Sequence, residues 1–191
     1  NLLGAEQSGF LSSVGYDMYL KLLEEAVLEE KGEKRTAPPE CSADLTVNAN
    51  IPESYVPAPE QRMDLYRRIA AIRSNEDASD VMDELIDRFG EPPRPVLALL
   101  DVALLRAAAV KTGVADITQR GEWLHLTFGD FQPEAVVRVC GEAKYRRTMK
   151  VSGGGKPGIS LQLARGADVL EAALALVEDL RLASEALAEE K

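Results

Sequence analysis

Apolar residues recur at helical spacing from Ser79 to Gly113, and the pattern predicts two helices joined by a proline hinge. In the first, Val81, Met82, Leu85, Ile86 and Phe89 share one face. Asp80, Asp83, Glu84, Asp87 and Arg88 share the other. Gly90 stands where a left-handed C-cap belongs, and Pro92 and Pro93 stop the helix. Ser74 and Asp77 have the spacing of a capping pair at its start. The second helix carries Val96, Leu97, Leu99, Leu100, Val102, Leu104, Leu105 and Val110 on most of its sides. That predicts a buried central helix, ending at Gly113.

Elsewhere the period alternates between 3.6 and 2. Leu11 to Lys31 reads as a long helix, with Val14, Met18, Leu22, Val27 and Leu28 as packing positions. The polar run 32–42, with its proline pair, reads as a linker. Ala43–Ile51 alternates as a strand, and a helix starts at Pro59 with Met63, Tyr66, Ile69 and Ile72 inward. Val114–Gln119 and Trp123–Phe128 read as strands about a turn at Gly121. A short helix follows over Gln132–Ala143. Tyr145–Val151 and Ile159–Leu163 read as strands joined by SGGGKPG (152–158), and Asp168–Leu187 as the last helix. The order β–α–α–α–β–β–α–β–β–α implies an α+β fold: helices packed on a mostly antiparallel sheet, preceded by a long N-terminal helix.

Charge narrows the function. The net charge is −10, with 46% hydrophobic and 28% charged residues. An acidic chain of ordinary globular composition suits docking to basic protein surfaces better than primary nucleic-acid binding. Cys41 and Cys140 lack metal-ligand or CxxC spacing and read as reduced thiols of a cytoplasmic protein. No apolar run approaches the ~20 residues of a membrane span. On the helix that begins near Ser79, Asp80/Glu84 and Asp83/Asp87 are like-charge pairs at i,i+4, each costing roughly 0.2–0.5 kcal/mol. Only Glu84/Arg88 is favourable. A basic partner docking there would relieve the repulsion.

ELIDRFG (84–90), followed by a proline, resembles the C-terminal domain of the transcription-repair coupling factor family, bacterial ATP-driven DNA translocases. NLLGAEQSG (1–9) with VGYDMYLKLLEEAV (14–27) resembles the segment leaving that family's second motor lobe. IPESYVPAPEQRMDLYRRIA (51–70) resembles the opening of its C-terminal domain. Phe10 departs from the histidine usual after QSG. The resemblance implies a motor-lobe tail at 1–35, a linker at 36–43 and a regulatory domain at 44–191, the C-terminal piece of something longer. It implies that the parent uses ATP and magnesium, moves on double-stranded DNA, displaces stalled RNA polymerase and recruits UvrA. It further implies that this domain packs on the N-terminal UvrB-like region and masks the UvrA-binding surface. Glu84, Asp87 and Arg88, with Asp80 and Asp83, are then the expected protein-interaction residues.

The fragment itself carries no nucleotide loop: in GGGKPG, Pro157 follows the lysine where a Walker motif needs Ser or Thr, and the run reads as a hairpin loop. His125, the sole histidine, lacks ligand partners in sequence and reads as a sheet-face residue beside Trp123. No catalytic, metal or cofactor residue is expected here. The alternative reading is a nucleic-acid-contacting module, using Arg62, Arg67, Arg68 and the cluster Lys144, Tyr145, Arg146, Arg147 and Lys150. Strand alternation there would send Tyr145 and Arg147 to one face and Arg146 to the other.

Overall fold

A computed structural model describes residues 40–191. The expected helix over 11–31, the motor-lobe tail and the first half of the linker lie outside the described residues. Among them are five helices and one five-stranded sheet: β1 (Ser42–Asp44), α1 (Pro59–Ala70), α2 (Asn75–Phe89), α3 (Arg94–Lys111), β2 (Val114–Arg120), β3 (Trp123–Phe128), α4 (Pro133–Cys140), β4 (Met149–Ser152), β5 (Gly158–Gln162) and α5 (Val169–Glu189). The fold is α+β, with the element order that periodicity predicts.

The described residues divide into two compact units, one over Thr46–Leu104 and the other over 40–45 and Leu105–Lys191. In the first, Leu65, Tyr66 and Ile69 of α1 and Val81 and Leu85 of α2 are buried, together with Val56, Val96 and Leu99. Each such aliphatic side chain contributes about 1.5–3 kcal/mol on burial. Two polar bonds fix the entry segment: Asn50 N–H donates to the Pro95 carbonyl at 3.2 Å, and Ile51 N–H to the Tyr66 hydroxyl at 2.9 Å.

The second unit contains the sheet, in the order β1-β2-β3-β5-β4. Only β1 pairs in parallel, with β2. Register places Ala43, Ile117, Leu126, Ile159 and Val151 in one apolar row across all five strands. The row one step away, Asp44, Thr118, His125, Ser160 and Lys150, points to the opposite face and is polar. On α5, Val169, Leu170, Ala173, Leu176, Val177, Leu180 and Ala183 form the buried stripe. α4 buries Ala135, Val136 and Val139.

Two strand expectations need correction. The ladder expected over Ala43–Ile51 covers only Ser42–Asp44, so Ser42 and Ala43 are strand and not linker. Leu45, Ala49 and Ile51 are nonetheless buried, because the alternation of burial survives past a bend at Thr46 in a segment with no ladder partner. Tyr145–Thr148 is turn, not strand. Tyr145 N–H and Arg146 N–H both donate to the Glu142 carbonyl, and Thr148 and Met149 donate back to Tyr145. The strand begins only at Met149. In α2, Ile86 has apolar spacing yet is 44% exposed.

Candidate interaction surface

α2 is fixed at both ends. Ser74 Oγ accepts from Asp77 N–H at 3.1 Å, and the Asp77 carboxylate accepts from Arg73 N–H at 2.9 Å. Ser74 is the N-cap that the spacing predicts, but the return bond from Asp77 reaches the N–H of Arg73, one residue before the cap, and not that of Ser74 as in a capping box. At the other end Gly90 turns at φ +83° and donates to the Ile86 carbonyl at 3.0 Å. The Tyr55 hydroxyl donates to the carbonyls of Leu85 at 3.2 Å and Gly90 at 2.7 Å. Burial, and then Glu91, hold the Tyr55 hydroxyl above its ordinary pKa, so it remains a donor.

The five residues expected from sequence share the outer side of this helix but divide into two sets. Glu84 is only partly exposed, paired with Arg68 of α1 and, at 3.1 Å, with Arg88. The Arg88 guanidinium also lies 5.0 Å from the Phe89 ring centroid. Asp80, Asp83 and Asp87 are exposed and have no cationic partner among the described residues. Glu76, which sequence reasoning did not single out, joins them. Its signal was available: 76, 80, 83 and 87 are spaced 4, 3, 4, a single stripe on a helix. The surface is therefore a strip of four unneutralised carboxylates bordered by a neutralised Glu84–Arg68–Arg88 cluster.

The cations of the alternative reading are mostly committed. Arg62 is 15% exposed and donates to the Val56 and Pro57 carbonyls at 2.8 and 2.9 Å, with Glu53 at 3.6 Å. Arg67 pairs with Asp64 at 3.4 Å, and Arg68 with Glu84. In the turn after α4, the Tyr145 hydroxyl donates to the Asp179 carboxylate, which also holds Lys144 at 2.7 Å. Arg146 donates to the Gly141 carbonyl at 3.0 Å. Arg147 is exposed with no acidic partner among the described residues.

Burial, followed by the bond to Asp179, raises the pKa of the Tyr145 hydroxyl well above its ordinary 10. Unfolded tyrosine ionises near pH 10 while the folded residue stays protonated, so this contribution is intact below that pH. It is then lost as pH rises, at no more than about 1.4 kcal/mol per pH unit. Urea melts from pH 9 upward should show an alkaline decline that is shallower in Tyr145→Phe.

His125 Nδ1 lies 2.7 Å from Ser160 Oγ on the polar sheet face. No group of three His, Cys, Asp or Glu residues suited to a metal occurs among the described residues. A cleft of about 640 Å³ between the start of α4 and the end of α5 is lined by Phe131, Pro133, Glu134, Leu187 and Lys191, among others. Cys140 is a thiol 3.2 Å from the Met149 sulfur, its pKa raised by burial. No described helix is long and apolar enough to cross a membrane.

Residues 45–138 match the TRCF domain family. The chain is 34% identical over 161 residues to the transcription-repair-coupling factor of Staphylococcus epidermidis, covering 83% of this chain and 14% of that protein. It is 37% identical over 143 residues to the factor of Bacillus subtilis, covering 74% of this chain and 12% of the relative. It thus spans about one-seventh of the length of the curated relatives it matches. A crystal structure of the C-terminal domain of a transcription-repair coupling factor superposes with a TM-score of 0.65 at 21% identity, covering 78% of this chain and 98% of that one. The chain belongs to the transcription-repair-coupling factor family, and its described part has the fold of that family's C-terminal domain.

Proposed function

We propose that this domain is a non-catalytic docking and autoregulatory module of a coupling factor. Its acidic α2 face holds a basic patch on the N-terminal UvrB-like region and masks the UvrA-binding surface until the motor engages. On this reading ATP hydrolysis with magnesium, translocation on duplex DNA and displacement of stalled RNA polymerase belong to the rest of the parent, in the cytoplasm. The observation that carries the reading is the strip Glu76, Asp80, Asp83 and Asp87, exposed and without a cationic partner among the described residues. Carboxylates at this spacing repel one another, and arginines from a docked surface remove that cost as well as adding attraction. Exposed pairs contribute about 0–1 kcal/mol each. A few of them together give roughly the 1–3 kcal/mol of a releasable coupling.

Glu84 and Arg88 have a different role in this scheme. Their pairing with each other and with Arg68 fixes the border of the strip, so reversing Glu84 would break an internal cluster as well as a docking contact. The cleaner test is Asp83→Lys with Asp87→Lys in the intact coupling factor. UvrA affinity in the absence of DNA should rise about tenfold, the scale of a coupling near 1.4 kcal/mol. If binding remains as weak as in the wild type, the strip is not the clamp.

A further inference from the structure

The same chain carries an opposite charge at one edge of its sheet. From Ala143 to Ala167 the sequence holds Lys144, Arg146, Arg147, Lys150, Lys156 and Arg165 and no aspartate or glutamate, in a protein of net charge −10. That run is the turn after α4, the β4–β5 hairpin and the segment leading to α5. The polar row across the sheet shows the segregation directly: it runs from Asp44 at one edge, through Thr118, His125 and Ser160, to Lys150 at the other. Arg120 lies on β2, three strands from β4, and stands opposite Trp123 on the same polar face. Arg120, Arg147, Lys150, Lys156 and Arg165 are all exposed, and none has an acidic partner among the described residues.

We propose that this edge contacts the phosphate backbone of duplex DNA without reading its sequence. Five cations that form no ion pair among the described residues, four along the β4–β5 side and Arg120 on the same face, outnumber the exposed Glu122 of the adjoining turn and concentrate positive potential, and a polyanion gains by releasing its condensed counterions there. The aromatic at the centre favours backbone contact over base stacking. The Lys150 ammonium sits 4.9 Å from the Trp123 ring centroid, so a cation already occupies that ring face. The same contact holds Lys150 in place over the sheet. The glycine-rich loop carrying Lys156 is exposed through 153–156, where a duplex can approach it. Arg62, Arg67 and Arg68 have no part in this surface, because each is already paired.

The test uses the 191-residue chain and a labelled mixed-sequence duplex of about 20 base pairs, followed by fluorescence anisotropy across about 50–200 mM salt. If all five cations meet phosphates, log K should fall with log salt at a slope near −4.5, roughly 500-fold over that range. Arg147→Gln with Lys156→Gln, both exposed, should retain the wild-type circular dichroism and reduce the slope by about 2. Absence of binding at the lowest salt overturns the proposal, as does a slope unchanged in the double variant. So does equal affinity for a poly-glutamate peptide at the same salt, which would make the edge a docking site for acidic proteins.

Discussion

Gly113→Ala should lower stability by about 2–5 kcal/mol, read as a fall in the urea midpoint at unchanged slope. Two independent costs meet at this residue. Gly113 has φ +79°, a conformation in which a β-carbon is strained. A β-carbon built there would also clash with the Asp130 carbonyl oxygen, a backbone atom that has no rotamer to change. The close approach has a structural purpose. The Gly113 carbonyl accepts from the amides of Gly129 and Asp130 at 2.9 and 3.1 Å, tying the start of β2 to the end of β3. Gly90→Ala is the internal comparison. It has a similar φ of +83°, with ψ −166° in a region essentially kept for glycine, but nothing within 4 Å of the added carbon, so only backbone strain of about 1–3 kcal/mol applies. A larger loss at Gly113 than at Gly90 reports the clash added to the strain. Equal losses would mean that the Asp130 segment moves aside at little cost.

The features legible in the sequence are those set by local chemistry. α2 could be placed by its cap at Ser74, its stop at Gly90 and its apolar face, because each signal lies within a few residues of the structure it specifies. The alternation of Trp123–Phe128 placed β3 and its buried face, Leu124, Leu126 and Phe128, for the same reason. Features that depend on distant partners were not legible. Tyr145 alternates with Arg147 and Met149 as a strand residue would, but its hydroxyl is bound to Asp179, 34 positions away, and the chain there is a turn. Beyond Asp44 the chain keeps its alternation and loses its ladder, because pairing with β2 runs only from Ser42↔Asp116 to Asp44↔Thr118.

The interaction surface divides in the same way. The acidic side of α2 follows from helical spacing alone. The withdrawal of Glu84 into an internal cluster depends on Arg68 of α1, and no spacing rule within α2 contains that information. Periodicity also treats Arg62 as one more basic residue of α1, whereas its guanidinium is spent on the carbonyls of Val56 and Pro57. Charge counted along a sequence therefore overstates the charge available to a partner. The acidic strip and the basic sheet edge remain because their residues are exposed and form no ion pairs among the described residues.

Leu85→Ala should cost about 2–5 kcal/mol, and Ile86→Ala no more than about 0.5 kcal/mol. Adjacent apolar residues of one helix thus separate core from surface. Leu85 is fully buried beneath the strip, while Ile86 is 44% exposed beside Asp83 and Asp87. Truncating Leu85 leaves a cavity next to the carbonyl that accepts from Tyr55, so the loss includes transfer energy and incomplete collapse. On the masking role proposed for α2, the helix would then present its carboxylates from a looser base, and the UvrA affinity of DNA-free coupling factor should rise along with the loss of stability. Ile86→Ala leaves the helix intact, so any change it makes in UvrA affinity reports contact with the docked partner. Equal destabilisation by both variants would mean that Ile86 is buried in solution, and the assignment of the outer face of α2 would have to be redrawn.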